Sequence, residues 1–233
     1  MFKNLNVISF VLFSLLFCSC SVIKIKNNIS NEVQVEMQTS KGSIIFKLYN
    51  QTPLHRDNFI KLVDENFYDG VTFHRIIKDF MAQAGDPNSK DGSFEGQLGQ
   101  NSKGETIPAE FSNNLFHKKG ALAAARMGDN VNPEKKSSGS QFYIVQGKKY
   151  SLKQLSQMEN RINQNQENIF SFSDSAKKLY QEIGGTPFLD NGYTVFGEVI
   201  KGIEIIDKIC SVETSNGNKP INNVTILSAR IIN

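Results

Sequence analysis

The stretch FHRIIKDFMAQAGDP, residues 73–87, is the part of this 233-residue chain that decides its fold. Two short and mainly apolar runs, Thr72–Ile77 and Phe80–Ala84, are separated by Lys78-Asp79 and end at a Gly-Asp-Pro turn. Apolar runs of this length between turn residues are typical of β-strands. We therefore predict two neighbouring strands.

The alternation of side chains along these strands predicts a groove. Residues of one parity share a face of a strand, and in the first run that face holds Phe73, Arg75 and Ile77. In the second run Met81 and Gln83 share a face. An arginine and a glutamine among large apolar side chains indicate an apolar groove with a few fixed hydrogen-bond donors. The alternative is a buried strand pair in which the arginine makes a structural ion pair.

Four blocks of the chain together resemble one protein family. Residues 73–87 resemble the signature of the cyclophilin-type peptidyl-prolyl isomerases, which reads Phe-His-Arg, a short turn and Phe-Met-x-Gln-x-Gly-Asp. Three later blocks resemble strands of that family in the same order: GALAAAR at 120–126, SGSQFYI at 138–144 and FLDNGYTVFG at 188–197. The resemblance extends from about Val33 to Ile232, except for the polar loop Gly128–Ser137 and residues 148–185.

The resemblance implies both a function and a site. The function would be rotation of Xaa-Pro peptide bonds in proline-containing segments of other proteins, with Arg75 as the catalytic side chain. The proline pocket would be lined by Phe80, Met81, Tyr143 and Leu189. The peptide would be held by Gln83 and the backbone around Ala125–Arg126, and the resemblance places Gln141, Phe188 and Tyr193 in the same substrate-binding set. Phe188 stands where many members have Trp, and Tyr193 where many have His.

Other chemistries lack the residues that they need. The histidines, His55, His74 and His117, show no metal-binding spacing, so we predict no metal and no cofactor. Each is better explained as a surface or structural histidine. A net charge of +3 spread along the chain gives no reason to expect a nucleic-acid partner.

The periodicity of the chain agrees with a mainly β fold. Val35, Met37, Ile44, Phe46 and Leu48 alternate with polar residues around Lys41-Gly42, which predicts a hairpin. A helix is predicted to begin with Thr52 as N-cap and to place Leu54, Phe59, Leu62 and Val63 on one apolar side. Further strands are predicted at 120–126, 141–146, 193–199 and 224–232, and a second helix at Ile203–Cys210. From these elements alone a barrel cannot be told from a sandwich. The resemblance selects a closed eight-stranded antiparallel cyclophilin-like β-barrel with two covering helices.

Residues 148–185 do not fit a compact barrel. Ser151 and Ser173 can each cap a helix, and Gly184-Gly185 can end the second one. We predict an inserted helical hairpin within a cyclophilin-like domain spanning residues 33–233. A packed surface excursion and a role in gripping substrate both remain open for it.

The N-terminus resembles a bacterial lipoprotein signal. Residues 7–17 are almost wholly apolar, too short a run to span a bilayer comfortably, and Cys18-Ser19-Cys20-Ser21 follows. We predict a signal peptide at 1–19, lipid on Cys20 and a polar tether at 20–32. The domain would then lie in the bacterial cell envelope, outside the cytoplasm, anchored to a membrane. An ordinary signal peptide and an uncleaved anchor helix are the alternatives. The third cysteine, Cys210, follows three isoleucines and is predicted to be a buried apolar residue.

Two function classes remain open from the sequence. The first is a lipid-anchored prolyl isomerase that assists folding of envelope proteins. The second is a non-catalytic cyclophilin-like binding module or holdase chaperone, in which the helical hairpin matters more than turnover. The presence of Arg75, Phe80, Met81 and Gln83 favours the enzyme, because a domain kept only for binding would not need that set.

Overall fold

An antiparallel sheet of eight strands dominates the computed structural model, which describes residues 32–90, 94–164 and 170–233. The strands are β1 (Gln34–Thr39), β2 (Gly42–Leu48), β3 (Arg75–Ile77), β4 (Met81–Ala84), β5 (Ala121–Ala124), β6 (Phe142–Val145), β7 (Val195–Lys201) and β8 (Ile226–Ile231). The helices are α1 (Pro53–Asp64), α2 (Leu152–Asn163), α3 (Asp174–Glu182) and α4 (Ile203–Cys210). The predicted signal peptide, Cys20 and all of the tether except Glu32 lie outside the described residues.

The eight antiparallel strands form a curled half-barrel, and the closure that we predicted stays a prediction. Its strand order is β3-β4-β6-β5-β7-β2-β1-β8, so β3 and β8 are its two edges. Within the described residues these edges are joined by the isolated bridge from Thr72 to Thr225 and by backbone hydrogen bonds, among them those from the Phe73 N–H to the Val224 carbonyl and from the Ile226 N–H to the Val71 carbonyl. α1 packs on β7 and β8, and α4 packs on β2, β3 and β4.

The prediction that Phe73, Arg75 and Ile77 share one face of a strand is only partly correct. Phe73 packs in the main core with Ile76, whereas Ile77 packs with a second cluster that contains Met81 and Tyr143. The alternation fails because Thr72–His74 precedes β3 and does not belong to its regular ladder. From Arg75 onward the strand is regular and the predicted parity holds.

Helix α1 begins where the sequence predicts, but a distant residue caps it. The hydroxyl of Thr52 donates to the Tyr49 carbonyl (3.5 Å) and makes no cap hydrogen bond. The carboxylate of Glu110 accepts instead from the backbone N–H groups of Leu54 (3.1 Å) and His55 (3.0 Å). Leu54 is 50% exposed, so its predicted place on the apolar side of the helix is wrong.

Helices α2 and α3 pack against each other around a small core of their own, which consists of Tyr150, Leu155, Phe172, Ala176 and Tyr180. Both predicted caps are confirmed. Ser151 accepts from the Gln154 N–H (3.3 Å), and Ser173 accepts from the Ala176 N–H (3.2 Å). Among the described residues, no helix has the length and apolar character that crossing a bilayer requires.

Cys210 is buried at the end of α4, as predicted, and it is a free thiol. Burial raises the pKa of this thiol to about 12, with a smaller contribution from Asp207. At neutral pH the sulfur is therefore protonated, and the thiolate that would react is scarce.

His74 is the least satisfied polar side chain of the core. It is 5% exposed, and neither ring nitrogen has a hydrogen-bond partner among the described residues. Burial lowers the pKa of His74 from 6.5 to about 4, partly opposed by the charge of Asp86. The folded protein therefore holds this imidazole neutral.

We predict that His74 makes folding stability depend on pH between about 4 and 6.5. In that window the unfolded chain binds a proton that the folded chain rejects, so stability rises with pH and is lost as pH falls. The lowered pKa corresponds to roughly 3 kcal/mol at 1.36 kcal/mol per unit. Urea unfolding of the wild type and of His74→Phe across this range should give a flatter profile for the variant.

Carboxylates contribute to both profiles and cancel in the comparison. An NMR titration of the His74 ring gives a second readout, because its signal should stay that of neutral imidazole down to about pH 5. Protonation of the His74 ring near pH 6.5 in the folded protein would contradict the prediction. So would identical pH profiles of stability for the wild type and His74→Phe.

Candidate active site

Strand pairing places the polar residues of the site side by side. β4 lies between β3 and β6, and its register pairs Gln83 with Arg75 on one side and with Tyr143 on the other. Residues directly opposite each other in neighbouring strands project from the same face. The sheet therefore presents Arg75, Gln83 and Tyr143 in one row.

Arg75 is half-buried at the edge of this row. Its Nη1 donates to the Gln83 side-chain oxygen (3.3 Å) and approaches the Met81 sulfur (3.9 Å). Its guanidinium lies 5.9 Å from the centre of the Phe80 ring. Burial lowers the pKa of Arg75. Arginine nevertheless stays protonated in proteins, so the site keeps a permanent positive charge.

A cavity of about 110 Å³ lies beside the guanidinium. The predicted site residues that line it are Arg75, Phe80, Met81, Gln83, Ala125, Arg126, Tyr143, Leu189 and Tyr193. The other two predicted residues lie next to it. The Phe188 ring packs 5.6 Å from the Phe80 ring, and Gln141 accepts a hydrogen bond from the Gln83 amide (2.9 Å).

A second cavity of about 300 Å³ continues the first, and the two share Gln83, Ala125 and Arg126. Gln141 lines it and donates to the carbonyls of Gly99 (3.0 Å) and Asn101 (2.6 Å). Together the two cavities form one groove, in which a small pocket with Phe80, Met81 and Leu189 in its wall adjoins a larger one.

Ala125 has less to offer a peptide than its predicted role suggests. Its N–H donates to the Gln141 carbonyl (3.0 Å), and its own carbonyl accepts from the Ser138 N–H (2.8 Å). Both backbone groups therefore already serve the fold, and Ala125 contributes its methyl group to the pocket wall. Of the predicted pair, Arg126 is the better candidate for backbone contacts with a peptide.

The Arg126 side chain holds the far wall of the pocket, a role that the sequence did not indicate. Its guanidinium lies 4.4 Å from the centre of the Tyr193 ring, and its Nε donates to the Gly192 carbonyl (2.7 Å). Its Nη1 donates to the Asp129 carboxylate (2.6 Å). This side chain therefore fixes the loop that carries Tyr193.

Two buried side chains behind the pocket, His117 and Asp190, were not predicted as members of the site. Tyr143 shares a hydrogen bond with His117 Nε2 (3.0 Å), and His117 Nδ1 is 2.9 Å from Asp190 Oδ1. Burial raises the pKa of the Tyr143 phenol well above its usual value. Asp190 lies within the block at 188–197 and could have been suspected, whereas no motif marks His117.

The described residues contain no group of three or more His, Cys, Asp or Glu side chains arranged to hold a metal ion. The chemistry available in the groove comes from the guanidinium groups of Arg75 and Arg126, from side-chain amides that include those of Gln83 and Gln141, and from large apolar side chains. Such a set can orient and desolvate a peptide and can donate hydrogen bonds to it.

Comparisons with known proteins agree with this geometry. The family model of the cyclophilin-type peptidyl-prolyl cis-trans isomerases matches residues 34–231. A Staphylococcus saprophyticus protein provisionally named a peptidyl-prolyl cis-trans isomerase is 36% identical over 203 residues, covering 87% of this chain and 93% of that protein. A Staphylococcus aureus protein of the same name is 37% identical over 198 residues, covering 84% and 90%.

Solved structures show the same fold. A cyclophilin-type isomerase of Cryptosporidium parvum matches with a TM-score of 0.64 and 22% identity, covering 87% of this chain and 98% of that chain. Its structure in the presence of the dipeptide Ala-Pro matches with a TM-score of 0.62 and 22% identity, covering 86% and 99%. With a family model that matches most of its length and relatives at this level of identity, the chain belongs to the cyclophilin-type peptidyl-prolyl cis-trans isomerase family.

Proposed function

We propose that the groove beside Arg75 binds proline-containing segments of other proteins and that Arg75 catalyses rotation of their Xaa-Pro bonds. The observation that carries this assignment is the position of a permanent, half-buried cation in the wall of a small pocket that is also lined by Phe80, Met81 and Leu189. The Ala-Pro dipeptide present with the Cryptosporidium protein supports proline peptides as the ligand class.

The reaction requires only a donor and a shaped pocket. A peptide bond resists rotation because its nitrogen shares a lone pair with the carbonyl, which gives a barrier of roughly 18–20 kcal/mol. Rotation localises that lone pair on the proline nitrogen. A donor aimed at this nitrogen stabilises the twisted state more than either planar state, which is the condition for catalysis.

Arg75 is suited to this role by its geometry. Both of its side-chain hydrogen-bonding contacts involve Nη1, and within the described part of the chain Nε and Nη2 have no hydrogen-bond partner. The bond to Gln83 fixes the plane of the guanidinium, so the remaining donors need little reordering when a peptide binds. Met81, Tyr143 and Leu189 provide an apolar wall for the proline ring.

The size of the effect shows that Arg75 does not act alone. Uncatalysed exchange takes roughly 10–100 s, and a turnover of about 10³ s⁻¹ requires roughly 5–7 kcal/mol less barrier. One charged hydrogen bond contributes about 1.5–3 kcal/mol. The apolar pocket must therefore supply the remainder through its shape and its exclusion of water.

We further propose that residues 148–185 are a helical hairpin inserted between two strands of a β-barrel. We also propose that this barrel closes where its two edge strands, β3 and β8, approach each other. The helical pair α2–α3, with its separate small core, supports the first part. The Thr72–Thr225 bridge supports the second.

We predict that Arg75→Ala lowers kcat/KM for an Ala-Pro-Phe peptide by roughly 10- to 150-fold, the factor that corresponds to a lost charged hydrogen bond. Arg75→Lys should recover only part of this loss, because an ammonium lacks the planar fork. Exchange NMR on the full chain in detergent micelles measures the rates directly.

The matched control is Arg230→Ala, because Arg230 is an exposed arginine of β8 that pairs with Asp69. It should retain wild-type exchange. Unchanged exchange in Arg75→Ala would remove Arg75 from the catalytic role. A folded wild type without exchange would favour the non-catalytic binding module or holdase.

We also propose that the protein works in the cell envelope, outside the cytoplasm, on a membrane anchor attached to Cys20. The apolar run at residues 7–17 and the Ser19-Cys20-Ser21 sequence support this. Lipidation would keep the isomerase close to proteins that fold after export.

Growth with an alkyne fatty acid tests the anchor. We predict that the wild type and Cys18→Ser incorporate the label and stay in the membrane fraction, whereas Cys20→Ser loses the label and becomes soluble. Cys18→Ser is the matched control, because it removes a cysteine two residues away. A Cys20→Ser protein that stayed in the membrane fraction would refute the lipid anchor.

A further inference from the structure

A chain of buried hydrogen bonds connects the proline pocket to helix α3. The Tyr143 hydroxyl is 3.0 Å from His117 Nε2, and His117 Nδ1 is 2.9 Å from Asp190 Oδ1. The second Asp190 oxygen, Oδ2, accepts from the Tyr180 hydroxyl at 2.6 Å. His117 and Tyr180 are fully buried, and Tyr143 and the Asp190 carboxylate are nearly so.

The chemistry of the groups restricts the direction of each bond. The Asp190 carboxylate can only accept, and it takes hydrogen bonds from the Tyr180 hydroxyl, from the His117 backbone N–H (2.9 Å) and from the proton on His117 Nδ1. In the neutral imidazole this leaves Nε2 as an acceptor, so Tyr143 donates to it. Each member therefore determines the orientation of the next.

Tyr143, at one end of this hydrogen-bond chain, forms part of the wall of the proline pocket. The Tyr143 ring lines the cavity beside Arg75, stacks on His117 at 6.1 Å and meets the edge of Tyr193 at 6.0 Å. Its position is therefore set from behind, by a hydrogen bond, as well as from the side, by ring contacts. A wall held in this way needs no reordering when a proline ring enters.

Tyr180, at the other end of the chain, belongs to the helical pair α2–α3. Tyr180 lies in the small core of this pair, and its backbone carbonyl accepts from the Tyr150 N–H (3.1 Å). The end of the pair is also tied to His117, because the Thr186 N–H donates to the His117 carbonyl (2.8 Å). Gly185 allows this approach, since a Cβ there would lie 2.1 Å from the His117 carbonyl oxygen.

We propose that Tyr180, Asp190 and His117 are positioning residues that act through the hydroxyl of Tyr143, and that the helical pair thereby supports the pocket wall. This inference rests on the proposed role of the pocket. It gives residues 148–185 a task in catalysis that does not require them to touch the peptide.

Two substitutions that each remove a single oxygen test the proposal in the full chain. Tyr180→Phe should lower kcat/KM for the Ala-Pro-Phe peptide by roughly 2- to 10-fold, the lower part of the range for residues coupled in one hydrogen-bond network. In the Tyr143→Phe background the same substitution should have no further effect, because the link to the pocket is already cut. Tyr150→Phe is the matched control from the same small core, and it should leave exchange unchanged.

A second readout follows Tyr143 itself. With labelled tyrosine, NMR should show faster ring flips of Tyr143 in Tyr180→Phe than in the wild type, and no change in Tyr150→Phe. Unchanged exchange and unchanged ring flips in Tyr180→Phe would overturn the proposal. An equal loss of kcat/KM in both backgrounds would also overturn it, since that result indicates a general structural effect.

The same series separates the two proposals from each other. If Arg75→Ala loses exchange while Tyr180→Phe does not, the pocket assignment stands and the positioning role fails. If the wild type shows no exchange, the catalytic assignment fails, and the ring flips of Tyr143 alone decide whether Tyr180 positions it.

Discussion

The charge of Arg75 is the constraint on which the groove depends. A guanidinium cannot release its proton, yet burial penalises its charged form, so a half-buried arginine requires a fixed acceptor. Gln83 provides this acceptor from the neighbouring strand. The Gln83 amide in turn donates to Gln141, and the Gln141 amide donates to the carbonyls of Gly99 and Asn101.

These bonds extend the constraint from one side chain to a whole rim of the groove. Asp86 is fully buried and accepts from the Gly99 N–H at 2.6 Å, which holds the same loop from below. A slip of one residue between β3 and β4 would turn Gln83 to the other face and leave the charge without its acceptor. The pairing register, the loop and the site are thus parts of one arrangement.

Sequence reasoning succeeded where the determining contacts are local. Alternation placed Met81 and Gln83 on one face, and the serines at 151 and 173 marked two helix starts, because these patterns act over a few residues. The family resemblance then collected the pocket residues from four distant blocks. Alternation failed at Phe73, where the chain leaves the ladder to bridge the opposite edge of the sheet.

Contacts between distant segments could not be predicted from local patterns. Glu110 caps a helix more than fifty residues earlier in the chain, and no spacing rule connects it to Leu54. The same is true of His117, which pairs with Asp190 across 73 positions. Buried polar partners of this kind depend on the completed fold, so they become visible only when the three-dimensional arrangement is known.

The burial of Cys210 has a consequence for the environments in which the protein can work. A free thiol on the surface of a protein exposed to oxidants is open to cross-linking and to sulfenic acid formation. Here the sulfur is shielded at the end of α4 and stays protonated, with a pKa near 12. The folded domain can therefore encounter oxidising conditions without reaction at Cys210, and it needs no second cysteine to protect this sulfur.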